Sequence, residues 1–336
     1  VIEMTTIKDV AKLAGVSVST ASYALNGKGN VKPETKMKVL EAAKQLNYQK
    51  NGLAMDLKKS KTKTIALILS DLSGPYYSEL IKGVQEVTMA NGYDLIACSS
   101  IGGKDSTAIK FLTEKRVDGV IILAHNISDE VIMASSRDGF PIIVLDRFLE
   151  DQHIISVLVN NTQGAYQATK YLIEQGHRDI AFISGPSNSV DSINRMKGYQ
   201  QALEEYDIAY QSKWTFTGNF TREGGYHATK LLIMQGDLPT AVFYANDEMA
   251  LGGYQAFEEM GIKIPDDISV MGFDDIQIAQ YLNPPLTTVK QPKYEAGTLA
   301  AHLLFQAFDN QEINRRYDLS TDLVIRGSVA KPQNLI

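Results

Sequence analysis

From Thr64 onward, short apolar runs alternate with stretches of helical periodicity, and few architectures accommodate that order. Strands are predicted at Thr64–Leu69, Asp94–Ala97, Gly119–Leu123, Ile142–Leu145 and Ile155–Val159. A second series is predicted at Ile180–Ile183, Lys213–Phe216, Ala241–Tyr244 and Ser269–Met271. Strands separated by helices build a doubly wound, mostly parallel α/β sheet. Each series has about the number of βα units that one sheet needs, so two stacked halves of similar architecture are expected. Ligands of such sheets gather at the carboxyl ends of the strands. The loops beginning near Ser70, Ala124, Asp146, Ser184, Ala245 and Gly272 are therefore expected to face one shared cleft.

Composition narrows what such a chain can do. At 336 residues it exceeds a single compact core, so two or three folding units are expected. Cys98 is the only cysteine, which excludes an internal disulfide and a cysteine-based zinc site. The histidines are scattered, and no metal or cofactor is expected. No apolar run reaches the roughly 18 residues of a membrane span, and Val1–Lys12 lacks the apolar segment of a secretory signal. No membrane partner and a cytoplasmic location are expected. Gly185-Pro186 is a turn without phosphate-loop spacing, and no GxSxG occurs. Asp274-Asp275 is the nearest thing to an acid/base pair, but adjacent loop residues point apart, so hydrogen-bonding and structural roles are expected. The chain is not expected to be an enzyme.

The net charge of −6 conceals an asymmetry: residues 1–64 carry twelve lysines, no arginine and five acids, a balance of +7 against −13 for the remainder. A basic head on an acidic body fits a protein whose head alone meets phosphate. A solvated lysine-rich surface is the other reading of the same count.

The head reads as three helices. Thr6-Ile7-Lys8-Asp9 starts one with a hydroxyl N-cap and an acid three residues on. Val10, Ala11, Leu13 and Ala14 form its apolar stripe, and Gly15 is placed to end it in a left-handed conformation. Ser17 caps a second helix through Thr20, Ala21, Ser22, Ala24 and Leu25, which stops at Asn26-Gly27. Only Gly15 and Val16 intervene, roughly the turn of a helix-turn-helix. A third helix begins at Pro33 with Met37, Val39, Leu40, Ala43 and Leu46 as its apolar face. In a helix-turn-helix the second helix reads the major groove, here with Val18, Ser19, Thr20, Ser22 and Tyr23. Hydroxyls suit phosphates and base edges, while Val18 and Tyr23 suit thymine methyls. A small helical domain whose serines and threonines only cap and solvate is the alternative.

Thr6–Ala11 with Ala14-Gly15-Val16-Ser17, Thr20, Ser22 and Asn26 resembles the head of the LacI/GalR family. The similarity continues through Val39–Ala42 and Leu46-Asn47-Tyr48 to Asn51, Ala54 and Leu57. The resemblance implies a lambda-repressor-like helix-turn-helix domain over 5–50 and a hinge helix with linker over 51–61. Residues 62–336 would form an effector-binding and dimerisation domain of periplasmic-binding-protein type I architecture, with two Rossmann-like subdomains. Their extents would be about 62–160 with 292–319, and about 161–291 with 320–330. DNA contacts are implied for Thr6, Ile7, Lys8, Ser17, Val18, Ser19, Thr20, Ser22, Tyr23, Asn26, Thr35, Tyr48, Asn51, Ala54, Leu57 and Lys58. In the family the leucine matching Leu57 wedges into a minor-groove step and kinks the duplex. Met55 stands where arginine is frequent, Lys50 where proline is common, and Tyr23 replaces an arginine that often reads guanine. The operator sequence therefore does not follow.

In the body, Arg195-Met196-Lys197-Gly198-Tyr199, Ala245–Gly252, Gly272-Phe273-Asp274-Asp275 and Pro285–Gln291 resemble the same family. The implied effector contacts are Arg195, Asn246 and Asp274, with Phe220 as a stacking aromatic and Asp146 and Gln291 as further polar groups. Tyr76, Tyr77, Asp71 and His125 are candidates from the first half, with core packing of Tyr77 and simple exposure of His125 as alternatives. Carboxylates, a guanidinium and amides hold vicinal hydroxyls, and aromatic faces cover C–H surfaces. A repressor of carbohydrate-utilisation genes controlled by a sugar is thus the leading expectation. A nucleoside or purine effector, or a phosphorylated carrier protein as co-regulator, is the alternative. A sugar-binding protein without a regulatory role is a further one. No leucine heptad follows Ala330, so a homodimer on a roughly palindromic operator is expected.

Overall fold

The computed structural model describes residues 5–27, 29–49, 61–309 and 311–332, in two compact units that divide at Thr62. The hinge segment 51–60, including Asn51, Ala54, Leu57 and Lys58, lies outside the described residues.

The first unit holds α1 (Ile7–Ala14), α2 (Val18–Asn26) and α3 (Pro33–Gln45). The Thr6 amide donates to the Asp9 carboxylate at 2.8 Å, and Ser17 Oγ accepts from the Thr20 amide at 3.1 Å. Gly15 ends α1 at φ 65°, in the left-handed region that favours glycine. Val10, Ala11, Ala21, Ala24, Val39, Ala42 and Ala43 form the core. With so many alanines the helix axes can approach closely. Leu13, Met37 and Leu40, expected on apolar faces, are instead exposed. The buried stripe of α3 runs through 39, 42, 43 and 46, the i, i+3, i+4, i+7 spacing of one helix face. Met37 and Leu40 fall outside that arc.

The second unit begins with β1 (Thr64–Leu69), α4 (Tyr77–Ala90), β2 (Asp94–Ser99), α5 (Thr107–Thr113), β3 (Gly119–Leu123), α6 (Asp129–Ala134), β4 (Ile142–Val144) and β5 (Ile154–Val159). It continues with α7 (Asn161–Glu174), β6 (Ile180–Ser184), α8 (Val190–Glu205), β7 (Thr215–Thr217), α9 (Arg222–Met234), β8 (Ala241–Tyr244), α10 (Asp247–Glu259) and β9 (Ser269–Asp274). Last come β10 (Thr287–Lys290), α11 (Lys293–Phe308), β11 (Arg316–Leu319) and β12 (Asp322–Val324). One six-stranded sheet has the order β11-β5-β4-β3-β1-β2, and the other β12-β10-β9-β8-β6-β7. All neighbours are parallel except β12, which runs antiparallel to β10. The chain is thus α/β, with a helix-turn-helix head and two Rossmann-like halves.

Helices cover both faces of the first sheet. Leu80 and Val84 of α4 share a core with Leu303 and Leu304 of α11, while α5 and α6 close the other face through Ala108, Leu112 and Ile132. Strands covered on both faces are apolar throughout, which is why Ile65–Leu69 is wholly buried. In the second half α7 packs on α8 and α9 on α10. The α7–α8 approach depends on Gly198, since a Cβ there would stand 2.1 Å from the Thr162 carbonyl oxygen.

Three strands escape the apolar-run rule. Thr287–Lys290 is threonine-rich and bracketed by prolines, Arg316–Leu319 alternates polar and apolar residues, and Asp322–Val324 is only three residues long. The seventh strand starts at Thr215 rather than Lys213, because Ser212–Trp214 is a 3₁₀ turn. Buried Trp214 anchors that turn, its indole N–H donating to the Asp237 carbonyl at 3.1 Å.

Candidate functional site

Read from β2, the first sheet has the order 2-1-3-4-5, which reverses direction between β1 and β3. The second repeats the pattern between β6 and β8. A doubly wound sheet opens a crevice at that switch point. A cavity of about 590 Å³ lies where the two crevices meet. Its walls include Ser70 and Asp71 after β1, His125 and Asn126 after β3, and Asp146 after β4. From the second half come Asp191, Arg195, Asn219–Arg222, Asn246, Glu248 and Asp274. That size suits a small molecule of one or two rings.

Arg195, on the second turn of α8, is 3% exposed and organises the second-half wall. Its Nε donates to Asn161 Oδ1 at 2.8 Å, one Nη donates to the Ala245 carbonyl at 2.5 Å, and Asp274 Oδ1 lies 3.4 Å away. The guanidinium stacks on Phe273 at 3.9 Å, with Phe220 at 5.4 Å. Asn161 uses both amide atoms, its Nδ2 donating to Asp191 Oδ1 at 2.8 Å. Asn246 caps α10 by accepting from the Met249 amide at 3.0 Å, and its Nδ2 donates to the Phe220 carbonyl at 3.1 Å. That bond steadies a left-handed pair, Asn219 at φ 55° and Phe220 at φ 62°.

The first half contributes aromatics and a carboxylate. Tyr76 and Tyr77 meet edge to face at 5.4 Å, and Tyr76 Oη donates to Gln291 Oε1 at 3.2 Å. Burial pushes the Tyr77 hydroxyl up to about 12, so it stays a donor. His125 Nδ1 lies 3.0 Å from Ser70 Oγ, and burial, then Arg147, lowers its pKa and favours the neutral ring. Asp146 receives Arg147 Nη1 on Oδ2 at 2.7 Å, but its Oδ1 is buried without a hydrogen-bond partner among the described residues.

All the body residues expected to touch an effector except Gln291 line this cavity. Gln291 is a correction: it is 2% exposed behind the wall, where its Nε2 donates to Asp274 Oδ1 at 2.5 Å. It aligns another residue rather than facing the space. Asp274 and Asp275 do diverge: Asp275 turns away to accept from Arg326 at 2.7 Å. Asp191, Glu248 and Arg222 line the cavity without having been anticipated. Burial pushes Asp191 to about 6 against the opposing pull of Arg195, and Asp274 to about 6 against Arg195 and Lys293. Five carboxylates against two guanidiniums line the space, so it repels an anion and accepts donors. Among the described residues no cluster of histidine, cysteine or carboxylates is placed to hold a metal ion.

On the head, Thr6, Lys8, Ser17, Val18, Ser19 and Tyr23 are exposed, and Thr20, Ser22, Asn26 and Thr35 are half-exposed. Ile7 and Tyr48 pack partly into the core. The hydroxyl of Ser17 lies 2.8 Å from those of Ser19 and Thr20, so all three hydroxyls meet at the start of α2. No helix among the described residues is long and apolar enough to cross a membrane.

Residues 6–51 match the bacterial regulatory proteins of the lacI family, and residues 169–329 match the periplasmic binding protein-like domain. The HTH-type transcriptional repressor PurR of Histophilus somni (strain 129Pt) is 38% identical over 330 residues, 97% of this chain and 99% of that protein. The lac repressor dimer bound to operator and the anti-inducer ONPF superposes with a TM-score of 0.79 at 30% identity, covering 98% of this chain and 100% of that one. The complex of the transcriptional regulator CelR with cellobiose gives 0.72 at 31% identity, covering 96% and 99%.

Proposed function

This chain belongs to the lacI family of bacterial regulatory proteins, a DNA-binding transcriptional repressor with an effector-binding domain and not an enzyme, and we propose that its effector is a neutral polyhydroxylated molecule, a sugar, held between the two sheets. The observation that carries the proposal is Asp146 Oδ1, a buried acceptor in the wall of the cavity that has no hydrogen-bond partner among the described residues. Such an atom costs about 1–3 kcal/mol or more until something donates to it. A sugar hydroxyl does so, while a phosphate cannot. Arg195, Asn246 and Asp274 offer further donors and acceptors on the opposite wall, and Tyr76 and Phe220 offer ring faces for C–H surfaces.

Operator DNA meets the helix-turn-helix through α2. The repressor acts in the cytoplasm as a homodimer, whose two-fold axis calls for a roughly palindromic operator. Ligand in the cleft alters the relation of the two halves and, through the dimer, the fit to DNA. The coupling is reciprocal by thermodynamic necessity.

The test is a thermal-shift screen of the full chain against neutral sugars, nucleosides and sugar phosphates. A ligand at 100 times its Kd stabilises by about 2.7 kcal/mol. A neutral sugar is expected to raise Tm in the wild type, and not in Asp146→Ala or Arg195→Met. A nucleoside or sugar phosphate that raises Tm where no neutral sugar does would contradict the proposal. A phosphorylated carrier protein, added to the operator assay with and without the sugar, tests the co-regulator alternative.

A further inference from the structure

Lys293 is a buried cation, 3% exposed, that does not line the cavity. It opens α11, directly after the chain has crossed from the second half to the first. Its Nζ donates to the Asp274 carbonyl at 2.5 Å and the Asp275 carbonyl at 3.2 Å, and lies 3.7 Å from the Glu79 carboxylate. Asp274 ends a second-half strand and Asp275 follows it, while Glu79 is in the first turn of α4.

The turn it grips is an unusual one. Asp274 has φ 121° and Asp275 φ 53°, two successive non-glycine residues in the left-handed region. Each is energetically unfavourable and persists only where its surroundings impose it. The strain has a visible result. It turns both carbonyls toward one ammonium while the Asp274 carboxylate faces Arg195 and the cavity. Burying an ammonium costs several kcal/mol, and an apolar side chain of similar volume often serves stability as well. What an apolar side chain cannot do is hold two carbonyls and a carboxylate from the opposite half at one point.

We propose that Lys293 is a positioning residue for the effector site, clamping the left-handed Asp274–Asp275 turn to α4 through Glu79 and so fixing where the Asp274 carboxylate stands between the halves. Tyr76, just before α4, makes the parallel link, reaching Asp274 through Gln291. The inference rests on the reading of the cleft as an effector site only for the meaning of Asp274. Its test uses no effector, so the two can fail separately.

The charged and titratable groups facing Asp274 include Arg195 and Asp191 on α8, Asp247 and Glu248 on α10, Lys293 on α11, and the hydroxyls of Tyr76 and Tyr77 at the start of α4. With the full chain carrying ¹³C-labelled aspartate, Asp274→Asn identifies the Asp274 carboxyl signal. Burial raises this carboxyl to about 6 against the pull of Arg195 and Lys293, so the wild-type signal is expected to titrate there. Lys293→Gln and Lys293→Met remove an adjacent cation and are expected to raise the midpoint by roughly one unit or more. Lys293→Arg keeps the charge and leaves the midpoint in place. A stabilising role alone would not distinguish glutamine from arginine in this way. Amide hydrogen exchange at Asp275–Ile276 and at the start of α4 should quicken in Lys293→Gln, and only at the start of α4 in Glu79→Gln. A folded Lys293→Gln protein in which Asp274 titrates as in the wild type overturns the proposal. If neither of the uncharged variants, Lys293→Gln and Lys293→Met, folds, unchanged exchange at the start of α4 in Glu79→Gln overturns it, and quickened exchange there supports it.

Discussion

Asp191 sits in the first turn of a helix, where an acid ordinarily does no more than complement the positive end of the helix dipole. Nothing in the sequence marks it as a wall of the cleft. Arg195, Asn246 and Asp274 were legible because each stands in a run of residues that resembles its counterparts in the family. Asp191 and Arg222 are charged residues at helix starts outside those runs, Glu248 lies within Ala245–Gly252 without a signal of its own, and only the meeting of two sheets gives the three a shared space. Burial holds the Asp191 carboxyl near 6, above the roughly 3.9 of an unfolded chain. Its contribution is therefore favourable below about pH 4 and is lost as pH rises through 6. Asp191→Asn, which cannot charge, should gain about 1–3 kcal/mol over the wild type at pH 7.5 in the ligand-free state. The gap should close toward pH 4.5, and urea denaturation at the two pH values checks it. A gap that does not vary with pH would mean that the carboxyl is solvated.

Elements were legible to the degree that their burial is one-sided or complete. The wholly covered strands over 64–69 and 119–123 have the predicted bounds because continuous apolar runs leave no other placement. Short strands next to prolines or turns carry no such run. Helix faces in the head were misjudged at Met37 and Leu40, since hydrophobicity does not tell a residue on the stripe from one beside it. Two substitutions test elements separately. Ser17→Ala removes the cap of α2 and should cost the head about 1 kcal/mol. Operator affinity should fall while the thermal shift by ligand is unchanged. Gly198→Ala drives a Cβ against the Thr162 carbonyl between α7 and α8. It should destabilise the body by roughly 1–3 kcal/mol in denaturant titration, while the head keeps its fold.

For the molecule as a whole, the split between a +7 head and a −13 body fits either a DNA-binding head or a solvated lysine-rich surface, and the helix-turn-helix pattern decides between them. The basic head predicts that operator affinity falls steeply with salt, log K against log salt having a slope of about −0.9 per phosphate neutralised. A chain beginning at Lys61 should lose DNA binding and keep its ligand-induced rise in Tm. The sequence could not disclose the spacing of the two halves around the cavity, because that depends on packing between segments far apart in the chain.

The central claim is that occupancy of the cleft and affinity for the operator are one coupled equilibrium. Fluorescence anisotropy of the full chain on a selected palindromic operator tests it, with and without the sugar found by thermal shift, in the wild type and in Asp274→Asn. The sugar should change wild-type operator affinity by a factor on the order of 5–150. Operator should change sugar affinity by the same factor, and Asp274→Asn should bind DNA without responding. A sugar that occupies the cleft and leaves operator affinity unchanged would contradict the account.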